Sequence, residues 1–266
     1  MHDLSLYVLV GKTGSSTMRA LLLHAAVASP NPAWLCTPGM PHGNADCARA
    51  EVALGAEHRD GSGDVSRAAT GWQRGRRFFT TLREPVERAA SEYAYFCLWC
   101  GDENKFCGRM ARTDCVHRNV TFAQWLVRAP NQYTRRFARF WPGLSYSQSY
   151  VRGFPELAPV TRGDLDRAVA TLTRPSSLVV YLDEMNTSDL AVQRAALDRL
   201  RAWLGGGNGS HAARALADVA TFPHENALPS ELRYVPTAAE RRLACSVNDM
   251  DCALYARLRP NRSCAC

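Results

Sequence analysis

The sequence predicts an α/β fold: a parallel sheet flanked by helices, with a cysteine-rich irregular insertion. Three observations carry this. An apolar run, a polar loop and a segment of helical period succeed one another at residues 4–25. The same order recurs at residues 77–97, and a third apolar run at residues 176–185 leads into another amphipathic segment. Strands that alternate with helices join as parallel crossovers and put helices on both faces of the sheet. The 266 residues suffice for one substantial core. No internal repeat or interdomain linker is visible, so residues 1–266 are expected to form a single domain.

The first unit contains "LYVLVGKTGSSTMRALL", residues 6–22. Leu4 to Val10 reads as a short buried strand, and Met18, Leu21, Leu22 and Ala25 recur at helical spacing. Gly11-Lys12-Thr13 matches the end of a nucleotide-binding P-loop, but that loop needs a glycine five residues before the Gly-Lys pair, and Leu6 stands there. The polar loop follows the lysine instead: Thr13, Gly14, Ser15, Ser16 and Thr17. The layout is P-loop-like without being a Walker loop. It suits an anion, because the first turn of a helix offers unpaired N–H groups and a positive dipole end. Lys12 adds a point charge and the four hydroxyls add donors. The alternative is a plain helix cap with no ligand.

In the second unit, Phe78 to Leu82 reads as a buried strand. Arg83-Glu84-Pro85 ends it, and Pro85 suits a first helical turn. Val86, Ala89, Ala90, Tyr93 and Phe96 mark the helical face. Arg83 therefore stands at the carboxyl end of a strand, where ligands bind in open α/β sheets, and Ser91 lies two helical turns on. The third unit is a strand over residues 176–185, then a helix with Leu190, Gln193, Arg194, Leu197, Leu200, Trp203 and Leu204, ended by Gly205-Gly206-Gly207. Residues 97–120 are cysteine-rich and irregular, residues 121–141 look helical and aromatic, and Gly205 to Ser210 forms a glycine-rich loop.

Composition narrows the compartment. Ten cysteines, an even and high count, fit disulfides in an oxidising environment. Four glycosylation triplets, at Asn119, Asn186, Asn208 and Asn261, point the same way. No apolar run reaches the ~20 residues of a membrane span, and Met1 is followed almost at once by the first strand. The chain is therefore expected to be either cytosolic or cut from a longer protein, and the cysteines and triplets favour the second. The net charge is +7, carried almost wholly by arginine, since Lys12 and Lys105 are the only lysines. Arginine grips phosphate and sulfate bidentately. No motif supports nucleic-acid binding.

Lys12-Thr13-Gly14-Ser15-Ser16-Thr17 after strand one, and Leu82-Arg83-Glu84-Pro85-Val86-Glu87-Arg88 with Ser91-Glu92-Tyr93 after a later strand, together resemble the Golgi carbohydrate sulfotransferases. The heparan sulfate 2-O and 6-O branch is the nearest in pattern. The match is specific at residues 10–20 and 80–93 and looser elsewhere. Tyr93 to Phe96 with Gly101-Asp102, residues 121–140, and a closing helix from Asp251 to Leu258 also resemble that branch. The resemblance implies that the first loop grips the 5′-phosphosulfate of 3′-phosphoadenosine 5′-phosphosulfate (PAPS), and that Arg83 and Ser91 grip its 3′-phosphate. Glu84 stands where the family usually has aspartate. The resemblance further implies a lumenal Golgi domain on a missing type II membrane anchor, with a glycosaminoglycan-like polysaccharide as acceptor and no metal.

Sulfuryl transfer moves an SO3 unit in line from a phosphate to a sugar hydroxyl. Positive charge must stabilise the bridging oxygen as it leaves, and Lys12 is placed for that. A base must take the hydroxyl proton, and histidine suits that role near neutral pH. The resemblance implies a histidine some two dozen residues before the Arg83 strand; His58 in "GAEHRDGS" is the only one in that window. Its alternative is a surface loop histidine. His42 and His117 sit in cysteine-bounded irregular stretches.

Other features have competing readings. Cys97-Leu98-Trp99-Cys100 follows a helix, where a thioredoxin-like redox pair would precede one. Zinc binding by Cys97, Cys100, Cys107, Cys115 and His117 would need a more regular spacing, so disulfides are expected. Their pairing does not follow from the sequence; Cys245 with Cys252, and Cys264 and Cys266 with earlier cysteines, are candidates. Asn131, Gln132, Arg135 and Arg136 form a polar-basic patch that either meets the acceptor or supports the cofactor site, or is a solvated helix face. Trp125 and Trp141 read as core. Two rival functions stay open. One is a P-loop kinase or NTPase, with Asp183 as its metal-binding acid. The other is a glycan-binding relative that has lost catalysis.

Overall fold

The structure is a computed structural model. It describes residues 5–8, 15–36, 51–54, 77–99, 120–128, 130–138, 159–205, 210–223 and 233–266. These residues form a mixed helix-and-sheet fold with a small, wholly parallel sheet, as the alternation of strand and helix patterns predicts. They cluster into two compact units, residues 1–83 with 174–227 and residues 84–173 with 228–266.

The first unit holds the sheet. Its strands are β1 (Ser5–Val8), β2 (Leu35–Cys36), β3 (Val52–Leu54), β4 (Phe78–Leu82) and β5 (Ser177–Tyr181). They lie in the order β2-β3-β1-β4-β5, and every neighbouring pair is parallel. β4 fits the predicted bounds, and its "FFTTL" run is buried throughout, as a strand covered on both faces requires. β5 stops at Tyr181, where a short helix, Leu182–Met185, replaces the rest of the expected strand. β2 was not foreseen, because two residues carry no periodicity.

Around the sheet lie α1 (Ser15–Ala28), a long helix Leu190–Leu204 and the short helix His211–Ala215. α1 buries Met18, Leu21, Leu22 and Ala25, the stripe its period predicts. These side chains join Tyr7, Phe79, Val180, Ala196, Leu197, Leu200 and Leu204 in one core. In the long helix, Leu190 is 52% exposed. It opens the helix just after its cap, Asp189, and falls off the buried stripe.

The second unit is helical. α2 (Pro85–Tyr93) continues as a wider π turn over Ala94–Trp99. α3 (Phe122–Leu126) and α4 (Gln132–Ala138) divide the single helix expected at residues 121–141, the break falling around Pro130, which cannot donate to a helical ladder. α5 (Arg162–Thr173) follows. Numbering the first unit's remaining helices α6 (Leu182–Met185), α7 (Leu190–Leu204) and α8 (His211–Ala215), the chain ends with α9 (Ala238–Val247) and α10 (Asp249–Leu258). Val86, Ala89, Ala90 and Tyr93 of α2 pack with Phe122, Trp125 and Leu126 of α3 and Ala244 of α9. Trp125 is core, as read.

Every described cysteine is in a disulfide: Cys36, Cys97, Cys245, Cys252, Cys264 and Cys266. Cys245 pairs with Cys266 and Cys252 with Cys264, at Cα separations of 5.9 and 5.5 Å. This corrects the candidate pair Cys245–Cys252. The chain breaks at Asn248, which puts those two cysteines on different helices, and the tail beyond Leu258 supplies a partner to each. Cys100, Cys107 and Cys115 of the cysteine-rich insertion lie outside the described residues.

Candidate functional site

The order β2-β3-β1-β4-β5 makes β1 the strand from which the chain first moves to one side and later to the other. In open α/β sheets, ligands gather at the carboxyl ends beside such a reversal. β1 and β4 are adjacent, with Leu6 opposite Phe78, Tyr7 opposite Phe79 and Val8 opposite Thr80. Val8 and Leu82 therefore end their strands at the same edge of the sheet. That edge is held firmly from below. Tyr7 and Thr81 share a buried hydrogen bond of 2.9 Å, and the Tyr7 ring stacks on Phe79 with centroids 4.9 Å apart. Burial raises the Tyr7 hydroxyl well above its usual pKa despite the Thr81 bond, so it stays protonated.

α1 opens at Ser15, which puts Ser15, Ser16 and Thr17 in its first turn, where N–H groups have no partner within the helix. Thr17 is buried. Lys12, Thr13 and Gly14 lie outside the described residues, and so does His58. Arg83 directly follows β4 and is half-buried. Glu84 caps α2 through Oε2, which accepts from the Glu87 N–H at 2.7 Å, and Pro85 takes the first helical position. Its other oxygen, Oε1, accepts from the Ala265 N–H at 3.2 Å. Ser91 is half-buried on α2. Asp183 is exposed on α6, after the edge strand β5, which β4 separates from β1.

The polar patch around Asn131 is neither a solvated face nor an open surface. Asn131, Gln132 and Arg135 are each 8% exposed. Asn131 holds a left-handed backbone, φ 55°, just ahead of α4. Its Oδ1 accepts from the N–H groups of Met250 and Asp251 at 3.0 and 3.1 Å, in the first turn of α10. Its own N–H donates to Asn248 Oδ1 at 3.0 Å, and its Nδ2 to Asp249 Oδ1 at 3.1 Å. In return, Asp251 accepts from the N–H groups of Tyr133 and Thr134 at 3.0 and 2.8 Å, in the first turn of α4. The first turn of α10 is thus capped by Asn131, just ahead of α4, and that of α4 by Asp251 of α10. Burial pushes the Asp251 carboxyl above its usual range, against the positive charge of Arg88 and these two N–H groups. Arg88 itself pairs with Glu92 at 2.8 Å, both almost fully buried, and sits 5.1 Å from the centre of the Tyr133 ring.

Among the described residues no group of three or more His, Cys, Asp or Glu side chains is arranged to hold a metal ion. Among them, too, no helix is long and apolar enough to cross a membrane. No protein-family model matches the chain, and neither a curated protein nor a solved structure is similar to it.

Proposed function

We propose that the chain is a PAPS-dependent sulfotransferase that moves a sulfuryl group to a hydroxyl of a glycosaminoglycan-like polysaccharide, on a P-loop-like sheet. The observation that carries the proposal is the pairing of β1 with β4. β1 and β4 are neighbouring parallel strands, and the two sequence segments that resemble sulfotransferase elements come next in the chain after each of them. A donor with phosphates at both ends of an adenosine needs two anion sites within one molecule's span, and adjacent strand ends meet that need. The disulfides add support for an oxidising compartment such as the Golgi lumen.

In this reading PAPS supplies the sulfuryl group. Lys12 and the N–H and hydroxyl groups of Thr13, Gly14, Ser15, Ser16 and Thr17 hold the 5′-phosphosulfate and stabilise the bridging oxygen as its bond to sulfur breaks. Arg83 and Ser91 bind the 3′-phosphate. His58 takes the proton of the acceptor hydroxyl as that oxygen attacks sulfur. No metal is required, because Lys12 and the α1 first turn provide the positive potential.

The test has two parts. A thermal-shift panel compares PAPS, its desulfated product, ATP and GTP, each with and without Mg2+. PAPS and its product are expected to stabilise the protein without Mg2+; stabilisation by ATP or GTP alone, and only with Mg2+, would instead make it a P-loop kinase or NTPase. Transfer of 35S from PAPS to a panel of polysaccharides then identifies the acceptor. Heparin binding with no transfer to any polymer would mean a glycan-binding protein without catalysis.

A further inference from the structure

We propose that the tail segment beyond Leu258, residues 259–266, is a redox-releasable strap that holds the first turn of α2. The bridges Cys252–Cys264 and Cys245–Cys266 are nested, and they tie the tail beyond Leu258 to α10 and α9. Between the two tail cysteines, the Ala265 N–H donates to Glu84 Oε1 at 3.2 Å, while Glu84 Oε2 caps α2 through the Glu87 N–H at 2.7 Å. One carboxylate therefore serves helix and tail together.

Glutamate is not required for the cap. Aspartate, asparagine and serine are the preferred capping residues, because a short side chain reaches the first-turn N–H groups. The added methylene of Glu84 is what lets the second oxygen extend to the tail. A single exposed hydrogen bond does not offset the entropy of ordering a free tail. The two disulfides have already removed that freedom, so the bond forms only while they are closed. Opening them takes two electrons and two protons per bridge from a dithiol reductant, which leaves as its own disulfide. Four thiols result, at Cys245, Cys252, Cys264 and Cys266, and the tail is released. Glu84 then loses one of its two anchors, and the first turn of α2 loosens. Because α2 carries Ser91, release also weakens nucleotide binding. This last step rests on the sulfotransferase reading; the strap does not.

The experiment is residue-resolved amide exchange by NMR on the whole chain. Native protein is compared with a variant in which those four cysteines are serine, which leaves the bridges of Cys36 and Cys97 intact. The serine variant is expected to exchange faster at both Ala265 and Glu87, by about five- to tenfold, the scale of one exposed hydrogen bond. Glu84→Asp, with the disulfides closed, is expected to speed exchange at Ala265 alone, since aspartate keeps the cap but not the reach. Adding Glu84→Asp to the serine variant should restore native protection at Glu87. Ala265→Pro, which removes only the donor, should loosen Glu87 as the serine variant does and decides the matter if the latter does not fold. Unchanged protection of Ala265 in Glu84→Asp, or of Glu87 in the other two, overturns the strap. Titration with 3′-phosphoadenosine 5′-phosphate separates the two claims. If native protein does not bind it, the sulfotransferase reading fails while the exchange result stands. If native protein and the serine variant bind it equally, the link from strap to site is overturned.

Discussion

Asn131 makes four hydrogen bonds to the Asn248–Asp251 stretch and holds a backbone that only asparagine, aspartate and glycine adopt readily. Replacing it with alanine takes its side-chain oxygen from the buried Asp251 N–H and the half-buried Met250 N–H, and strains the left-handed backbone. Asn131→Ala should destabilise the protein by about 2–5 kcal/mol. Asn131→Gly keeps the backbone relaxed and should cost less, by about 1 kcal/mol. Denaturant unfolding of the pair checks the order, and equal losses would mean the backbone is not strained. Two residue-scale predictions concern the proposed reaction. Arg83→Ala should weaken PAPS binding by about 1.5–3 kcal/mol, the scale of a charged hydrogen bond, measured by calorimetry. His58→Ala should lower turnover by about 10²–10⁴ with PAPS affinity nearly unchanged. A variant with near-normal turnover would assign the base elsewhere, with Glu57 and Asp60 next in line.

Capping from a distance recurs at the scale of elements. Glu51, just ahead of β3, caps the short helix α8, accepting from the His211 and Ala212 N–H groups at 2.9 and 3.0 Å and from the Ser210 hydroxyl at 2.8 Å. Burial pushes its carboxyl up, but the N–H groups of Ala212 and His211 and the Ser210 hydroxyl outweigh it, so the net shift is downward. A folded-state pKa below the unfolded one means stability that is present above the unfolded value and lost as pH falls through the folded value. Glu51→Gln should therefore cost about 1–3 kcal/mol at pH 7. That cost should shrink below about pH 4.3, where the unfolded carboxylate begins to protonate. Unfolding curves at pH 7 and pH 3.5 test this; a difference that grows in acid would refute it. These caps also explain what the sequence could not show. The β4 strand, the α1 stripe and the α7 bounds are local patterns and were legible. So was the direction of the first and second strand-to-helix units, which put the proposed anion-binding segments at strand ends. Asn131, Asp251 and Glu51 act on helices far along the chain, and a lone polar residue gives no sign of that. For this reason the sequence left the patch at residues 131–136 open between the acceptor, the cofactor site and a solvated helix face, and gave no sign of a cap. α9 gave no pattern because it buries a single residue, Ala244.

For the whole molecule, the pattern is of a chain fastened late and close to its surface. Of the four glycosylation triplets, Asn186 and Asn261 are described, and both are exposed. Passage through a secretory pathway should add a glycan to each, read as a mass loss on enzymatic deglycosylation and its absence in Asn186→Gln and Asn261→Gln. An unmodified protein from such cells would argue against lumenal exposure of these sites. The exchange of caps between α4 and α10 has a different consequence, which lies in the order of synthesis. The two partners stand 117 residues apart, from Thr134 to Asp251. A ribosome delivers residues 84–173 long before the 228–266 segment that completes the same unit. Throughout that interval the N–H groups of Tyr133 and Thr134 await Asp251, and the Arg88–Glu92 pair awaits its neighbour. The first unit has all its residues once position 227 has emerged. The second has them only once position 266 has emerged. One nascent chain therefore presents a finished half and an open one, and the open half is what a chaperone must shield until the final turn of α10 is made.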